Sequence, residues 1–449
     1  MAVPPLRSIW AAGVLRGPSG ALTVHGHDVR DLAVEFGTPV YVLDETDFRA
    51  RAQAFRRAFG DGDVHYAGKA FLCTAVARWV ADEGLGLDVA TGGELAVALA
   101  ADFPPDRIVF HGNNKSADEL RAAADAGVGR IVVDSFDEIA RLAGLAAHRA
   151  ERPAVSIRLT VGVEAHTHEF IATAHEDQKF GFSVASGAAL QAAEAVLDTG
   201  VLELVGLHSH IGSQIFDTSG FEVAAARAVT VLAQLRDHRN VTLTELNLGG
   251  GLGIAYVPGD DPADVGEVAP SLRTIVELAC KAQGLPVPRL AVEPGRAIAG
   301  PSTLTLYEVG TVKPVELDGG LTRHYVSVDG GMSDNVRSAL YGADYTVVLA
   351  NRESTAPPMQ ARVVGKHCES GDIVVRDADL PADLRPGDLL AVAATGAYCR
   401  SMASTYNFVG RPPVVAVASP GTAGQSRPVV IVRRETEADL LGLDPGVGR

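Results

Sequence analysis

Short runs of β-branched and other apolar residues alternate with longer Ala- and Leu-rich stretches of helical spacing between residues 63 and 296. Each apolar run is a candidate strand ending in a polar or glycine-rich tip, and each longer stretch after it is a candidate helix. Eight strands are predicted, at residues 64–66, 87–89, 108–110, 131–133, 155–159, 204–208, 246–248 and 290–292. The intervening helices are predicted at residues 71–83, 93–101, 117–126, 136–147, 187–197, 221–236 and 271–283. Eight β-then-α units predict an α/β fold, a (β/α)8 TIM barrel, with an open doubly wound sheet as the alternative.

The pattern changes after Gly300, where apolar runs are separated by turns rich in Gly, Pro and Asp. Strands are predicted at residues 303–309, 325–328, 345–349, 361–364, 389–394, 414–417 and 429–432. Another strand, at residues 40–43, is expected outside the barrel. We therefore predict a barrel over residues 36–300 and a mostly β domain, of β-sandwich or β-barrel type, formed by residues 1–35 and 301–449.

The length, charge and cysteine spacing of the chain limit the functions and partners that it can have. A chain of 449 residues exceeds the size at which one hydrophobic core usually stops growing, so two domains are expected. The net charge of −16, without a basic stripe, argues against a nucleic-acid partner. The four cysteines (Cys73, Cys280, Cys368 and Cys399) form neither a CxxC pair nor a zinc-like spacing, so neither a metal nor a disulfide framework is predicted. No leader-like or membrane-spanning stretch is expected, and the expected location is the reducing cytoplasm.

In a TIM barrel the active site lies at the carboxyl ends of the strands, so the strand tips belong together. Lys69 follows the first strand and is one of only six lysines, against thirty-three arginines. A lysine partly removed from water has a lowered pKa and forms a Schiff base; a surface lysine at a strand end is the alternative. Glycines 249–251 and Gly295 follow strands seven and eight, where barrels commonly bind phosphate. Ser213 adds a hydroxyl for the same group.

Acid–base residues end strands six and eight. Glu293 is suited to keep the pyridine nitrogen of pyridoxal 5'-phosphate (PLP) protonated, and an ion pair with Arg296 or another arginine is the alternative. His208 and His210 lie on the same face of their strand, so one imidazole can stack on a cofactor ring. A metal pair is the alternative for these histidines, but we predict no metal because neighbouring tips lack a matching set of carboxylates.

Three polar loops interrupt the β pattern of the second domain. The first places Cys368 beside Glu369, a pair suited to proton transfer. The second runs from residue 329 through Arg337 to Tyr341, and arginine suits carboxylate binding. The third carries Tyr398. An ordinary hairpin is the alternative for each loop.

Together these motifs resemble the fold-type III PLP-dependent decarboxylases, and among them the diaminopimelate decarboxylase family. The matching strings are YAGKAF at 66–71, HGNNKS at 111–116, HSHIGSQ at 208–214, GGGLGI at 249–254, EPGR at 293–296, DGGMSDNVR at 329–337, KHCESGD at 366–372 and GAY at 396–398. The resemblance covers nearly the whole chain from about residue 36. It implies an alanine-racemase-like barrel, PLP as cofactor, and decarboxylation of meso-2,6-diaminopimelate to L-lysine and CO2, the last step of lysine biosynthesis.

The resemblance also implies a role for each site residue. Lys69 carries PLP as a Schiff base, and Cys368 resembles the proton donor of the reaction. The other implied cofactor-binding residues are His210, Ser213, Gly251, Glu293, Pro294, Gly295, Arg296 and Tyr398. The implied substrate-binding residues are Arg296, Arg337, Tyr341, Glu369 and Tyr398. In this family the Cys–Glu loop reaches the barrel of the other subunit, so a homodimer with shared active sites is expected.

A barrel hydrolase with a β accessory domain stays open at this point, and so do two PLP-related functions. One is decarboxylation of another basic amino acid, although Arg337 near Tyr341 does not suit a cationic distal end. The other is a PLP-binding barrel without turnover, although the long segment after Gly300 does not suit a lone barrel. The sequence also leaves open whether four further polar residues touch the cofactor, namely Asp88, His111, Asn113 and Arg158.

Overall fold

The computed structural model describes residues 8–163, 178–421 and 427–446 of the chain. The chain divides into two compact units. Residues 51–253 and 262–297 form the barrel unit, and residues 1–50, 254–261 and 298–449 form the β unit.

The first elements of the chain are short. They are β1 (Val14–Arg16), β2 (Leu22–Val24), β3 (His27–Asp28), α1 (Val29–Phe36), β4 (Val40–Asp44) and α2 (Glu45–Phe59). Strands β1, β2 and β3 form an antiparallel sheet of their own. Helix α1 begins where the carboxylate of Asp28 accepts the backbone N–H of Arg30, and it ends at Gly37, whose φ is +68°.

The strands of the barrel unit form a closed parallel ring. They are β5 (Asp63–Ala67), β6 (Gly86–Val89), β7 (Ile108–Phe110), β8 (Arg130–Val133), β9 (Ala154–Thr160), β10 (Phe182–Ser183), β11 (Glu203–Ser209), β12 (Glu245–Asn247) and β13 (Arg289–Val292). All except β10 belong to the ring, which closes where β13 pairs with β5, and β10 pairs with the end of β9. The predicted eight-stranded barrel is confirmed, and the open sheet is excluded.

Helices follow the barrel strands. They are α3 (Thr74–Asp82), α4 (Gly92–Ala100), α5 (Ala117–Ala126), α6 (Phe136–Ala146), α7 (Ala188–Thr199), α8 (Ser219–Arg239), α9 (Val265–Ala282) and α10 (Arg296–Ala299). Helix α5 matches its prediction because both ends are marked: Ser116 and Glu119 form a capping box, and Gly127 ends it in the left-handed region. Helix α9 begins six residues before its prediction. A capping box at Asp264 starts it and Pro270 lies inside it, so the proline hid the start.

The β unit continues after the barrel. Its later elements are β14 (Thr303–Glu316), β15 (Thr322–Val328), α11 (Arg337–Tyr341), β16 (Val347–Leu349), β17 (Pro358–Val364), β18 (Ile373–Pro381), β19 (Leu389–Val392), β20 (Val414–Val417), β21 (Val429–Val432) and α12 (Glu437–Gly442). The main sheet has the order β18-β17-β15-β14-β4-β20-β21. The mostly β character is therefore confirmed, as is the placement of the strand at residues 40–43 outside the barrel.

Several elements of the β unit were not predicted, among them the short strands β1–β3 and helix α11. Strand β18 was not predicted, and β14 runs seven residues beyond its predicted end. Both stretches carry charged residues and a proline, and several of their side chains are exposed, so neither has the apolar alternation of a buried strand. The core of this unit includes Val24, Val42, Leu304 and Leu306. In the part of the chain that the structure describes, no helix is both long and apolar enough to cross a membrane.

Candidate active site

A cavity of about 260 Å³ lies at the carboxyl ends of the strands in the barrel unit. Three residues predicted from the sequence line it: Lys69, two residues after β5; His210, directly after β11; and Glu293, directly after β13. Because the strands form a closed parallel ring, residues far apart in the chain converge at one mouth. The fold thus gathers an amine, an imidazole and a carboxylate around one space.

Glu293 is buried in the wall of this cavity, with 8% of its side chain exposed. Asn247 Nδ2 donates to Glu293 Oε1 over 2.7 Å. The Nε2 atoms of His111 and His208 each lie 3.1 Å from the same oxygen, and the two imidazole rings meet edge to face at 4.8 Å between centroids. Residues at the ends of three other strands therefore hold this carboxylate in one place.

Burial and charge act in opposite directions on the protonation of this cluster. Burial raises the pKa of Glu293, but the charges and hydrogen bonds of His111 and His208 outweigh burial and hold that pKa well below its usual value. Burial lowers the pKa of His111, but Glu293 and Asp88 raise it to about 9. Burial lowers the pKa of His208 to about 4, although Glu293 opposes this shift. Near neutral pH the cluster holds an ionised Glu293, a protonated His111 and a neutral His208.

The ionic partners of Glu293 differ from the alternative that the sequence suggested. An ion pair with Arg296 was that alternative, but histidines are the ionic partners that hold the carboxylate. Arg296 Nη2 donates to Ser213 Oγ over 2.8 Å, which joins two residues that the sequence predicted for cofactor binding. The structure thus groups the tip after β13 with the loop after β11.

His210 is a neutral imidazole of defined orientation. Burial, and then the charge of Lys69, hold its pKa well below the usual value. The backbone N–H of Gly250 donates to His210 Nδ1 over 3.3 Å, so the proton of the neutral ring lies on Nε2. The ring is therefore fixed at the cavity by the glycine loop after β12.

The glycine loop leaves no room for side chains. A Cβ on Gly250 would overlap the carbonyl oxygen of Glu293, and a Cβ on Gly251 would lie 2.9 Å from Ile215 Cδ1. Gly249 and Gly251 have φ values of +73° and +98°, in the left-handed region that favours glycine. The backbone of this loop therefore approaches its neighbours as closely as a phosphate-binding loop requires.

The tip after β13 contacts the tip after β5. The backbone N–H of Ala67 donates to the carbonyl of Pro294 over 3.3 Å, and a Cβ on Gly295 would lie 2.9 Å from Ala67 Cβ. Lys69 follows two residues later; it lines the cavity, and its side chain is exposed to solvent. The predicted position of Lys69 at the cavity is correct, whereas the expectation that the fold alone shields it from water is wrong in this structure.

Several cavity residues were left open or missed by the sequence reading. Asp88, His111 and Arg158, whose roles stayed open, line the cavity, and Asn113 is not among its lining residues. Glu94 was missed, although it lines the cavity and accepts the backbone N–H of Ala90 over 2.6 Å. Glu94 lies inside a helix in the sequence, so no strand tip marked it. Asn247 was missed too, and its signal was a polar residue inside an apolar strand.

The histidine–glutamate cluster also has the spacing of a metal site. One ligand atom each of His111, His208 and Glu293 lies within 4.8 Å of the others. The sequence reading predicted no metal because it found no matching carboxylates near the histidines, and the structure supplies Glu293. Since the pKa of His111 is raised to about 9, a metal would have to displace the proton of this ring near neutral pH.

Arg337, in the β unit, is a buried cation, with 7% of the residue exposed. Its Nη1 donates to the hydroxyls of Tyr345 over 2.5 Å and Tyr256 over 3.1 Å. Burial holds the pKa of Tyr345 well above its usual value, so that side chain stays neutral. Among the residues described in the β unit, Arg337 forms no ion pair with a carboxylate. The two tyrosines were not predicted, because only folding brings them to Arg337.

The other predicted residues of the β unit differ in exposure. Tyr341 ends the helix that Arg337 begins and is 62% exposed. Cys368 and Glu369 are exposed on the turn before β18. Tyr398 is partly buried, has a φ of +68°, and its ring centroid lies 5.9 Å from the guanidinium carbon of Arg337. The structure therefore brings Tyr398 to Arg337, and it exposes the other three side chains.

Comparison with known proteins gives one consistent family. The family model described as pyridoxal-dependent decarboxylase, pyridoxal binding domain, matches residues 45–300. The chain is 59% identical to a diaminopimelate decarboxylase of Mycobacterium tuberculosis over 97% of its own length and 98% of the relative's. It is 53% identical to a diaminopimelate decarboxylase of Corynebacterium efficiens, over 97% of its own length and 94% of the relative's. A crystal structure of diaminopimelate decarboxylase from M. jannaschii in complex with L-lysine is 31% identical, with a TM-score of 0.88 over 97% and 98% of the chains.

Proposed function

The chain belongs to the diaminopimelate decarboxylase family, and from this membership we propose that it converts meso-diaminopimelate to L-lysine and CO2 with PLP as its cofactor. The lysine complex of the M. jannaschii relative supports the product. When bound, PLP supplies an electron sink for the bond that breaks as CO2 leaves. The observation that carries the proposal is the buried, ionised Glu293, held by three side chains in the wall of a cavity that Lys69 lines.

The residues of the barrel unit fit PLP on the chemistry of their side chains. A protonated pyridine nitrogen needs an anionic acceptor, and Glu293 is ionised and buried. A phosphate needs close backbone approach, and the glycine loop before Gly251 is too tight for any side chain. An aromatic ring needs a flat partner, and neutral His210 is fixed by its bond to Gly250. An aldehyde needs an amine, which Lys69 presents at the cavity.

We assign the cofactor roles accordingly. Lys69 would hold the cofactor through its amine. Glu293 would keep the ring nitrogen protonated, and His210 would pack on the ring. The phosphate is assigned to Ser213, Gly251, Pro294, Gly295 and Arg296.

Arg337 is proposed to bind the distal carboxylate of the substrate. A buried cation without a carboxylate partner is costly, and a substrate carboxylate removes that cost. Arg296 and Tyr341 are assigned to the same carboxylate. Glu369 is assigned to the distal ammonium, and Tyr398 to both cofactor and substrate.

Cys368 is proposed to complete the reaction. When the carbon–carboxylate bond breaks, the α-carbon must gain one proton, and a C–H bond replaces the C–C bond. The thiol of Cys368 is assigned as the donor of that proton, and the thiolate regains a proton from solvent. The exposure of Cys368 and Glu369 in a single chain supports a further proposal, that these two residues complete the barrel of a second copy in a homodimer. We also propose a cytoplasmic location, which fits four cysteines that form no disulfide with one another.

Substrate selectivity tests the proposed function against decarboxylation of another basic amino acid. Purified protein with added PLP is assayed for CO2 release from meso-diaminopimelate, L-lysine and L-ornithine. The latter two lack the distal carboxylate and leave Arg337 unpaired, so their kcat/KM is expected to be about 10⁴-fold lower. Arg337→Gln is expected to lower kcat/KM for diaminopimelate by about 10²-fold or more, whereas the control Arg362→Gln on β17 is expected to match wild type. Turnover of lysine or ornithine at a rate near that of diaminopimelate would contradict the proposal.

A further inference from the structure

Three segments of the β unit are joined by hydrogen bonds, and we call them the platform. They are residues 330–337, which end at Arg337; residues 365–372, which carry Cys368 and Glu369; and residues 404–408. The backbone N–H of Lys366 donates to the carbonyl of Gly330 over 3.0 Å. The backbone N–H of Ser404 donates to the carbonyl of Ser333 over 2.8 Å. The segment that ends at Arg337 is therefore bonded to both of the others.

His367 lies at the centre of the platform. It is buried, at 8% exposure, whereas its neighbour Cys368 is exposed. Its Nε2 lies 2.8 Å from Ser333 Oγ, and its Nδ1 lies 3.1 Å from Asn407 Oδ1. One imidazole therefore bonds to a side chain from each of the other two segments.

One neutral form of the ring satisfies both bonds. Asn407 Oδ1 is an acceptor, so Nδ1 of His367 donates. Nε2 of the neutral ring then accepts the hydroxyl proton of Ser333. His367 thus needs no charge to join the segments, and only a side chain with both a donor and an acceptor can replace it.

The backbone at Asn407 is adapted to this bond. Asn407 has a φ of +51°, in the left-handed region, and asparagine is one of the few residues other than glycine that adopts it readily. In that conformation the side chain of asparagine also provides an oxygen that accepts a hydrogen bond. Beside it, the ring of Tyr406 lies 5.3 Å from that of His367.

A buried carboxylate makes a second link within the platform. Asp372 is 3% exposed, and its Oδ1 accepts the backbone N–H of Met332 over 2.6 Å. Its Oδ2 accepts the backbone N–H of His367 over 2.8 Å. A Cβ on Gly331 would lie 2.5 Å from Asp372 Oδ1, so this carboxylate is enclosed by the segments it joins. The backbone of His367 is thus held from one side, and its ring from the other.

We propose that His367 is a positioning residue for the decarboxylation, which holds the loop of Cys368 and Glu369 in place through its bonds to Ser333 and Asn407. The inference rests on the proposed function, since that loop carries the groups assigned to the distal ammonium and to proton transfer. It adds a residue that touches neither substrate nor cofactor. Small displacements of a reacting group lower rates by about 10²-fold, so a bond that fixes a loop has a catalytic effect.

Three variants test the proposal. His367→Leu removes both ring bonds, and His367→Gln restores one donor and acceptor group. Asn407→Gly removes one bond and keeps the left-handed backbone at no steric cost. His25→Asn is the matched control, because His25 is a partly buried histidine of the β unit whose Nε2 lies 2.7 Å from Asp44 Oδ1, and it also has a positive φ of 50°.

Kinetics per bound PLP distinguish positioning from folding. His367→Leu is expected to lower kcat by about 10²-fold and to raise KM for diaminopimelate. His367→Gln and Asn407→Gly are expected to lower kcat about tenfold, which corresponds to the loss of one hydrogen bond. Adding Asn407→Gly to His367→Leu is expected to lower kcat no further, since His367→Leu has already removed the bond between these two residues. His25→Asn is expected to lower Tm and leave kcat and KM per bound PLP within twofold of wild type.

Three outcomes would overturn the proposal. One is a His367→Leu variant that loses only Tm, as the control does; another is additive losses in the double variant. If His367→Leu does not fold, unchanged kcat and KM in Asn407→Gly would have the same meaning. Failure of the proposed function is recognised separately, because the wild-type protein then forms no lysine. A further readout tests the positioning role without any substrate. Alkylation of Cys368 by iodoacetamide, relative to Cys73 in the same sample, is expected to accelerate in the His367 and Asn407 variants, and an unchanged ratio counts against a fixed loop.

Discussion

Replacing Glu293 by glutamine removes one negative charge from the barrel cavity and keeps the size of the side chain. The amide oxygen can keep the bond from Asn247, which is 2.7 Å long, and the contact with His111 at 3.1 Å. The amide NH2 can donate to Nε2 of His208, because a neutral imidazole can carry its proton on Nδ1 instead. Glu293→Gln is therefore expected to fold.

The size of the effect follows from the shift that the carboxylate imposes on its neighbours. The pKa of His111 is about 9 against 6.5 for an ordinary histidine, and at about 1.4 kcal/mol per unit that difference is about 3 kcal/mol. Burial opposes the shift, and the negative charge of Glu293 raises the pKa of His111 more than the negative charge of Asp88 does. A protonated ring nitrogen at the same carboxylate gains a similar amount. Its loss is expected to lower kcat by about 30- to 150-fold, which corresponds to about 2–3 kcal/mol.

The assay is the rate of lysine formation from diaminopimelate, divided by the amount of bound PLP. The control is Glu245→Gln, because Glu245 on β12 is also a barrel carboxylate but pairs with Arg130 and Arg289. That control is expected to lower Tm and to keep kcat within twofold of wild type. The pKa of His111, followed by NMR, is expected to fall from about 9 toward its ordinary value in Glu293→Gln. A Glu293→Gln enzyme with normal PLP content and a kcat within threefold of wild type would refute the reasoning.

Two further predictions concern the same cavity. The raised pKa of His111 stabilises the fold fully below pH 6.5, and this contribution is lost as the pH rises through about 9; Tm of the cofactor-free protein should therefore fall over that interval, and a fall of equal size in Glu293→Gln would count against it. Gly250→Ala places a Cβ against the carbonyl of Glu293, so PLP affinity measured by fluorescence titration should fall about tenfold or more. The control Gly144→Ala, in a helix with open space at the Cβ, should bind PLP like wild type, and equal affinity in both variants would show that the loop tolerates a side chain.

The barrel was predictable because its local signals agree with one another. Each short apolar run is followed by a polar tip and a helix, so the periodicity alone gives all eight strands. Strand β18 gives no such signal, because it is charged along much of its length and its backbone bonds to β17 place it in the sheet. Pairing of this kind depends on a partner elsewhere in the chain.

The candidate site was predictable as a set of strand tips, but not as a set of contacts. Lys69, His210 and Glu293 meet at one cavity because parallel barrel strands end on one side. An arginine was the expected ionic partner of Glu293, yet His208 and His111 hold it, and His111 follows a strand three positions away around the ring. Contacts across a barrel interior depend on side-chain length and ring closure, which spacing along the chain does not encode. The platform around His367 has the same origin, because its segments are joined only in the folded β unit.

The most direct measurement of the proposed reaction compares lysine formation from meso-diaminopimelate by the wild-type protein, Lys69→Ala and Lys281→Ala, each with added PLP. Lys281 is an exposed lysine in helix α9 and serves as the matched control. Wild type and Lys281→Ala are expected to form lysine and to show the visible absorbance of bound PLP, and Lys69→Ala is expected to lose both. Lysine formation by Lys69→Ala at the wild-type rate, or its absence from a wild-type protein that carries PLP, would contradict the proposed function.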